Sequence, residues 1–158
     1  MSRTPRVLSL WRTASSKPGG RWLFSRAVCL RAPYFASIRP LVHRVEPGHV
    51  EVSIRKRRAV ANHIGTVHAI AMCNMAELAA GVLTEVTLST EQRWIPRGMT
   101  VEYLKKAATD LSATAYTDAT VGLAESAAYP VTVDIRDARG ETVCRAVIEM
   151  WVSPASRR

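Results

Sequence analysis

Residues 67–83 have the sequence VHAIAMCNMAELAAGVL, a long apolar stretch without proline. Alanine, methionine and leucine are strong helix formers, so the stretch predicts a helix over residues 67 to 83. Apolar residues occupy nearly every face of this helix, which is typical of a helix that is buried all round. Thr66 is placed to cap its N-terminus. Such a helix needs other elements to enclose it.

The flanking sequence predicts those elements as β-strands, because apolar and polar residues alternate along it. The predicted strands cover residues 41–45, 50–54, 99–103, 111–123, 131–135 and 144–152. Residues 137–140 form a hairpin loop between the last two, with Gly140 at the position of positive φ. We therefore expect an α+β fold in which an antiparallel, curved sheet wraps around one long central helix. The edges of such a sheet commonly pair in a dimer.

Charge is distributed unevenly along the chain of 158 residues, whose net charge is +9. Residues 1–45 contain nine Lys and Arg and no acidic residue, while the rest of the chain contains thirteen of each sign. A nucleic-acid-binding module usually carries its basic patch on the folded domain, so we expect no nucleic-acid partner. Three cysteines without a CxxC pair fit a reducing compartment, and no apolar run approaches about 18 residues, so we expect a cytoplasmic protein without a membrane-spanning helix.

The sequence predicts three segments: a basic extension over residues 1–32, one domain over residues 33–153 and a short basic tail over residues 154–158. Three interpretations of the extension are open. It could pack on the domain, as its large apolar residues Trp11, Trp22, Leu23 and Phe24 suggest. It could be a transit peptide, which would make the protein mitochondrial. It could also be a solvated basic arm that contacts an anionic surface.

Polar residues concentrate at the start of the predicted helix, in the run Asn62-His63-Ile64-Gly65-Thr66-Val67-His68. Glu77 then interrupts the apolar helix, and a carboxylate there is costly to bury without partners. The alternative is an ordinary glutamate on a solvated stripe. At 100° per residue, His68 and Glu77 point to opposite sides of one helix. If both serve one site, that site must lie between two subunits.

These residues resemble the signature of hotdog-fold thioesterases, in particular the phenylacetate-pathway-like acyl-CoA thioesterase branch. That signature is Asn-x-x-Gly-x-x-His-Gly-Gly with an acidic residue nine positions after the histidine, and this chain has Asn62, Gly65, His68 and Glu77 at those spacings. Residues 99–107 also resemble the strand that follows the helix in that branch. In an uncharacterised bacterial subgroup the leader resembles residues 17–24, which favours a packed extension.

The resemblance implies a role for each of these residues. Glu77 would be the catalytic carboxylate, either as the nucleophile or as the base that activates water. The backbone N–H of Ala69 would polarise the thioester carbonyl, with His68 close by. Asn62 would hold the water or the partner of the carboxylate, and Gly65 would allow the tight turn into the helix.

Four further residues are candidates for substrate binding. His63 could be a second polar group of the site, although a loop histidine is the simpler interpretation. Asn74 could hydrogen-bond Glu77 or the helix of a second subunit. Arg57 and Arg58 could contact the phosphates of coenzyme A, or form a solvated basic edge. The four histidines do not have a ligand spacing, so we expect no metal site.

The sequence therefore predicts an acyl-CoA thioesterase that works as a homodimer or a dimer of dimers. Coenzyme A enters as part of the substrate, and no separate cofactor is expected. The alternative is a non-catalytic protein of the same fold that binds or senses acyl-CoA. Its support is the pair Ala69-Ile70, which stands where the family has Gly-Gly and crowds the approach of a thioester.

Overall fold

The computed structural model of the protein describes residues 4–155. The helices are α1 (Arg6–Ser15), α2 (Gly20–Arg31) and α3 (Ala69–Thr87). The strands are β1 (Leu41–Glu46), β2 (His49–Ile54), β3 (Gln92–Tyr103), β4 (Leu111–Tyr116), β5 (Ala127–Arg136) and β6 (Thr142–Pro154). Two short 3-10 helices, Pro33–Ile38 and Arg58–Val60, lie before β1 and before α3.

The six strands form one sheet in the order β1-β2-β4-β5-β6-β3, and every neighbouring pair is antiparallel. α3 contacts all six strands, so the sheet curves around it. Met75, Ala76 and Leu83 of α3 are fully buried among inward-facing strand residues such as Val52 and Ile148. The predicted hotdog architecture, a curved antiparallel sheet around one central helix, is confirmed.

The ends of α3 differ from the prediction. Val67 lies outside the helix, because its N–H donates to the Ala107 carbonyl and the residue pairs with Ala61 as an isolated β-bridge. The N-cap is therefore His68 and not Thr66. At the other end the helix continues to Thr87, whose hydroxyl donates to the Leu83 carbonyl one turn earlier.

Two predicted strands also have different bounds. The strand predicted over residues 111–123 ends at Tyr116, because the Thr117 hydroxyl accepts from the Ala119 N–H and donates to the Pro130 carbonyl, which turns the chain. β3 begins at Gln92, seven residues before the alternating pattern, and passes through a bulge between Pro96 and Gly98. Proline is tolerated there because β3 is an edge strand.

α3 is not buried all round within one chain. Twelve of its nineteen residues are buried, but one stripe stays open to solvent. This open stripe consists of Ile70, Cys73, Glu77, Gly81 and Glu85, which follow each other at helical spacing. It lies beside edge strand β3, since Trp94 of β3 donates to Glu85 and Tyr103 of β3 contacts Cys73.

The length and hydropathy of α3 would also suit a membrane-spanning helix, because an 18-residue window has a mean hydropathy of 1.3. In the fold, however, most of that window is buried against the sheet, so α3 is the core helix. The apolar stretch therefore serves to fill the sheet.

The described part of the N-terminal extension, residues 4–32, packs on β1 and α3. Leu8, Trp11 and Phe24 belong to the same hydrophobic core as α3, and the rings of Trp11 and Phe24 meet edge to face at 5.0 Å. Trp22 and Leu23 remain exposed. The structure therefore agrees with the interpretation of this segment as a packed extension. The domain boundaries at residues 32 and 153 stay predictions. The last three residues of the predicted tail lie outside the described residues.

Candidate active site

The loop from Asn62 to Thr66 is held by the side chain of Asn62. Its Oδ1 accepts from the N–H groups of Ile64 and Thr66 at 3.2 and 3.0 Å, and its Nδ2 donates to the Thr66 hydroxyl at 2.8 Å. Gly65 has a φ of +77°, a left-handed conformation that an L side chain would strain. Asn62 and Gly65, both predicted site residues, thus shape the turn that leads into α3.

His68 closes this turn and begins the helix. Its Nδ1 accepts from the Ile70 N–H at 3.0 Å, which satisfies one of the free donors of the first helical turn. A neutral imidazole that accepts at Nδ1 carries its proton on Nε2. Within residues 4–155 the N–H of Ala69 has no acceptor, so it is available to a ligand. This is the donor that the sequence predicts as the oxyanion contact.

A cavity of about 240 Å³ opens beside this helix start. Its lining includes His68, Ile70 and Asn74 from the helix side and Tyr34 and Ser37 from the 3-10 helix. The remaining lining residues are Ile38, Ala59, Val60, Ala61 and Ala71. The lining thus combines apolar side chains with the polar groups of Tyr34, Ser37, His68 and Asn74.

Asn74 of α3 is a polar residue in the lining of this cavity. It is buried, and its Nδ2 donates to the Ser37 hydroxyl at 3.1 Å, while its Oδ1 has no partner among the described residues. Among the described residues Asn74 makes no hydrogen bond to Glu77, and its contact with the helix of a second subunit stays a prediction. A buried amide oxygen without a donor suits a ligand that brings an N–H or O–H group.

Of the two predicted phosphate-binding residues, Arg57 contacts a residue of the cavity lining. Its guanidinium donates to the Ser37 carbonyl. Burial, together with the neighbouring charge of Arg39, lowers its pKa. The two cations therefore lie near each other, and an anion between them would be attracted by both. Arg58 is exposed in the short 3-10 helix, and His63 is exposed at the tip of the loop.

Glu77 lies on the open stripe and is exposed in the single chain. Cys73, one turn before it, contacts the Tyr103 hydroxyl at 3.3 Å. That hydrogen bond, with a smaller effect of burial, raises the pKa of Tyr103 to about 12. The predicted burial of Glu77 is not achieved within one chain, because its side chain stays exposed among the described residues.

The distance between Glu77 and the start of α3 decides whether both can serve one site of a single chain. His68 has φ −64° and ψ 140°, so it precedes the helix as its N-cap. The predicted angle of 180° between His68 and Glu77 assumed that both lie within one helix, so it does not apply here. Ala69 and Glu77 are eight residues apart, which is about 12 Å along a helix axis. A single thioester carbonyl cannot contact both groups of one chain at once.

Three residues of the site were not predicted from the sequence. Ser37 and Arg39 belong to a segment that the sequence shows only as a short proline-flanked turn, and Tyr103 was assigned only to a strand. Their proximity comes from long-range packing that no local pattern reports. In the part of the chain that the structure describes, no group of three or more His, Cys, Asp or Glu could hold a metal ion.

Solved structures share this architecture. The crystal structure of the genomics target APC5556 is 43% identical, covers 94% of this chain and 98% of its own, and has a TM-score of 0.81. A probable thioesterase of Pseudomonas aeruginosa is 22% identical over 81% of this chain and 91% of its own, with a TM-score of 0.74. A thioesterase of Haemophilus influenzae is 12% identical, covers 79% of this chain and 85% of its own, and has a TM-score of 0.69. The last two identities show a common fold alone.

Among curated proteins, no sequence matches the chain. The family described as a domain of unknown function (DUF4442) matches residues 20–152, from the first residue of α2 to a point near the end of β6. This match covers most of the chain and shows that the protein belongs to the DUF4442 family.

Proposed function

We propose that the protein is an acyl-CoA thioesterase whose site is shared between the two subunits of a homodimer. The observation that carries the proposal is the placement of Glu77. It is the one charged residue between His68 and Leu83, and it lies on the stripe of the core helix that the sheet leaves open. The thioesterase names of the similar Pseudomonas and Haemophilus structures support the same reaction class.

A dimer would resolve the separation of the two reactive groups. Glu77 of one subunit would approach the start of α3 of the other, where Ala69 presents its free N–H and His68 its Nε2–H. Covering the open stripe would also bury Ile70, which is 55% exposed in the single chain. Burial of such surface is the usual source of dimer stability.

The reaction is hydrolysis of a thioester. With Glu77 as the base, the carboxylate takes a proton from water, and the oxygen of that water attacks the carbonyl carbon. The Ala69 N–H stabilises the oxyanion, and the carbon–sulfur bond then breaks as the coenzyme A thiolate leaves and is protonated. With Glu77 as the nucleophile, its carboxylate attacks the carbonyl carbon and displaces the coenzyme A thiolate, which is protonated, and water then hydrolyses the resulting mixed anhydride to the free acid and the carboxylate of Glu77. Both routes produce the free acid and coenzyme A.

The surroundings of the cavity fit a coenzyme A thioester. Arg57 donates to the carbonyl of Ser37, a residue of the cavity lining, and has Arg39 close by, and this pair of cations suits the phosphates of the nucleotide. The unpartnered Oδ1 of Asn74 suits an amide N–H such as those of the pantetheine arm. Asn62 then acts as a positioning residue, because it shapes the loop that presents His68 and Ala69. No cofactor other than the substrate's own coenzyme A enters this scheme.

The direct test is release of free thiol from short, long and aromatic acyl-CoAs by the wild type and by Glu77→Gln. Glu85→Gln is the matched control, because Glu85 lies on the same stripe two turns later and hydrogen-bonds Trp94. We expect turnover by the wild type and the control and its loss in Glu77→Gln. Equal turnover by Glu77→Gln would contradict the assignment of the carboxylate.

A second candidate function is non-catalytic binding or sensing of acyl-CoA. The exposed side chain of Ile70 favours it, because it stands at the entrance where the resembling enzymes have glycine. In that case no acyl-CoA is turned over, and calorimetry shows acyl-CoA binding that Arg57→Ala weakens. The phenylacetate-pathway-like branch and a cytoplasmic location, suggested by three free cysteines, belong to the proposal as well.

A further inference from the structure

We propose that the outward face of α2 docks on the surface of an anionic lipid bilayer. This inference is independent of the proposed catalytic function. It starts from an unusual helix, since α2 buries one face in the protein and presents apolar residues on the opposite face as well. The buried face has Phe24, Ser25 and Cys29.

The outward face carries Leu23, Ala27 and Leu30, which are spaced i, i+4 and i+7 and so form one apolar stripe. Leu23 is 60% exposed, Leu30 is 83% exposed and the neighbouring Trp22 is 58% exposed. Single exposed leucines are ordinary on protein surfaces, but an aligned row beside a tryptophan marks an interaction surface. We refer to Trp22, Leu23, Ala27 and Leu30 as the α2 stripe.

The charge around the α2 stripe identifies the partner. Lys17, Arg21 and Arg31 are exposed at the two ends of the helix, and no acidic residue precedes Glu46 in the sequence. The entire net charge of the protein lies in this N-terminal region, since residues 46–158 are neutral. Attraction to an anionic surface would therefore turn this region, and no other, toward that surface.

Tryptophan and leucine flanked by lysine and arginine are the composition of helices that lie in the bilayer interface. The apolar side chains enter the boundary between headgroups and acyl chains, while the cations contact the anionic headgroups. An acidic protein partner would satisfy the cations, but it would not by itself require protruding leucines. The bilayer satisfies both features of the helix with one surface.

The α2 stripe is close in sequence to a residue that lines the cavity, which suggests a role for membrane docking. Tyr34 follows Leu30 by four residues, is 70% exposed and lines the cavity at the start of α3. A bilayer bound at α2 would thus lie near one wall of the cavity. Amphipathic ligands that partition into the bilayer would be concentrated there.

The test is sedimentation of the full-length protein with vesicles of neutral phosphatidylcholine and with vesicles that also contain phosphatidylglycerol. We expect binding to the anionic vesicles that weakens as salt is raised. Leu30→Ser should weaken it about tenfold, and Leu23→Ser/Leu30→Ser further, because each leucine loses its transfer from water. The matched control is Leu123→Ser, which changes an exposed leucine outside α2 and should bind like the wild type.

Tryptophan fluorescence provides a second readout. Vesicles should shift the emission of the wild type to the blue, and Trp22→Phe should abolish the shift although three other tryptophans remain. Absence of binding to anionic vesicles at low salt would overturn the proposal. It would also be overturned if the double leucine variant changed the oligomeric state of the protein in sedimentation velocity, since the α2 stripe would then be covered by a second copy.

Discussion

At the scale of single residues, the candidate site depends on an acidic group, Glu77, and on a hydrogen-bond donor, the backbone N–H of Ala69. Glu77 supplies a carboxylate on a helix that is otherwise apolar, and Ala69 supplies an N–H that its helix leaves unpaired. Burying the carboxylate costs free energy unless it has partners, whereas a free N–H group occurs at every helix start. The proposed active site therefore rests on their combination with the cavity at the helix start.

The contribution of the Ala69 N–H can be tested without changing a side chain that touches substrate. Proline is favoured at the first position of a helix, and His68 before it already has the extended backbone that proline requires. We expect Ala69→Pro to fold normally and to lower kcat by about 10²- to 10³-fold, as for other lost oxyanion donors. Ala69→Ser keeps the N–H and is the control. An unchanged kcat in Ala69→Pro would remove this donor from the mechanism.

Cys144 makes alkaline stability a second test at this scale. The residue is fully buried on β6, and burial, with a smaller effect of Cys73, raises the pKa of its thiol to about 11 from an ordinary value of 9.0. Between these pH values the unfolded chain loses the proton and the folded chain keeps it, so this contribution to stability is complete below pH 9 and is lost as the pH rises toward 11.

We therefore expect the free energy of unfolding of the wild type, measured in urea from pH 8 to 11, to fall over this interval. Cys144→Ala should show a shallower fall, whatever its stability at pH 8. Parallel curves for the two proteins would show that another group is responsible.

At the scale of elements, the central helix was predicted well and its surroundings less well. The apolar run between Val67 and Leu83 was sufficient to predict a core helix, because composition and the absence of proline act locally. The cap was not predictable, since Val67 is drawn out of the helix by Ala107, a residue forty positions away. The open stripe was also missed, because its exposure depends on where the edge strand β3 ends the sheet.

The N-terminal helices give a stability test at the scale of elements. Trp11 is buried against Phe24, so Trp11→Ala should lower the free energy of unfolding by about 3–5 kcal/mol. Trp22→Ala, an exposed tryptophan in the neighbouring helix, should change it by less than about 0.5 kcal/mol. Chemical denaturation of both variants measures this difference. Equal and small effects would mean that the extension does not stabilise the domain, as for a transit peptide.

At the scale of the whole molecule, the chain has an antiparallel sheet with two edges and a core helix with one open stripe. The strand order could be approached from the sequence, because alternating patterns and turns such as Asp137–Gly140 report local hairpins. The cavity could not, since its lining residues, such as Tyr34, Ser37 and Asn74, come from parts of the chain that are far apart in sequence. The spacing of Asn62, His68 and Glu77 predicted where the site begins, but not which groups line it.

The central claim is that Glu77 of one subunit acts with the Ala69 N–H of the other. Its most direct test is thiol release from an acyl-CoA by Glu77→Gln, by Ala69→Pro and by an equal mixture of the two after subunit exchange. A shared site leaves one intact site in each mixed dimer, so the inactive variants should together recover about a quarter of the wild-type rate. A mixture that stays as inactive as its components, while exchange is complete and the wild type turns over, would contradict the shared site.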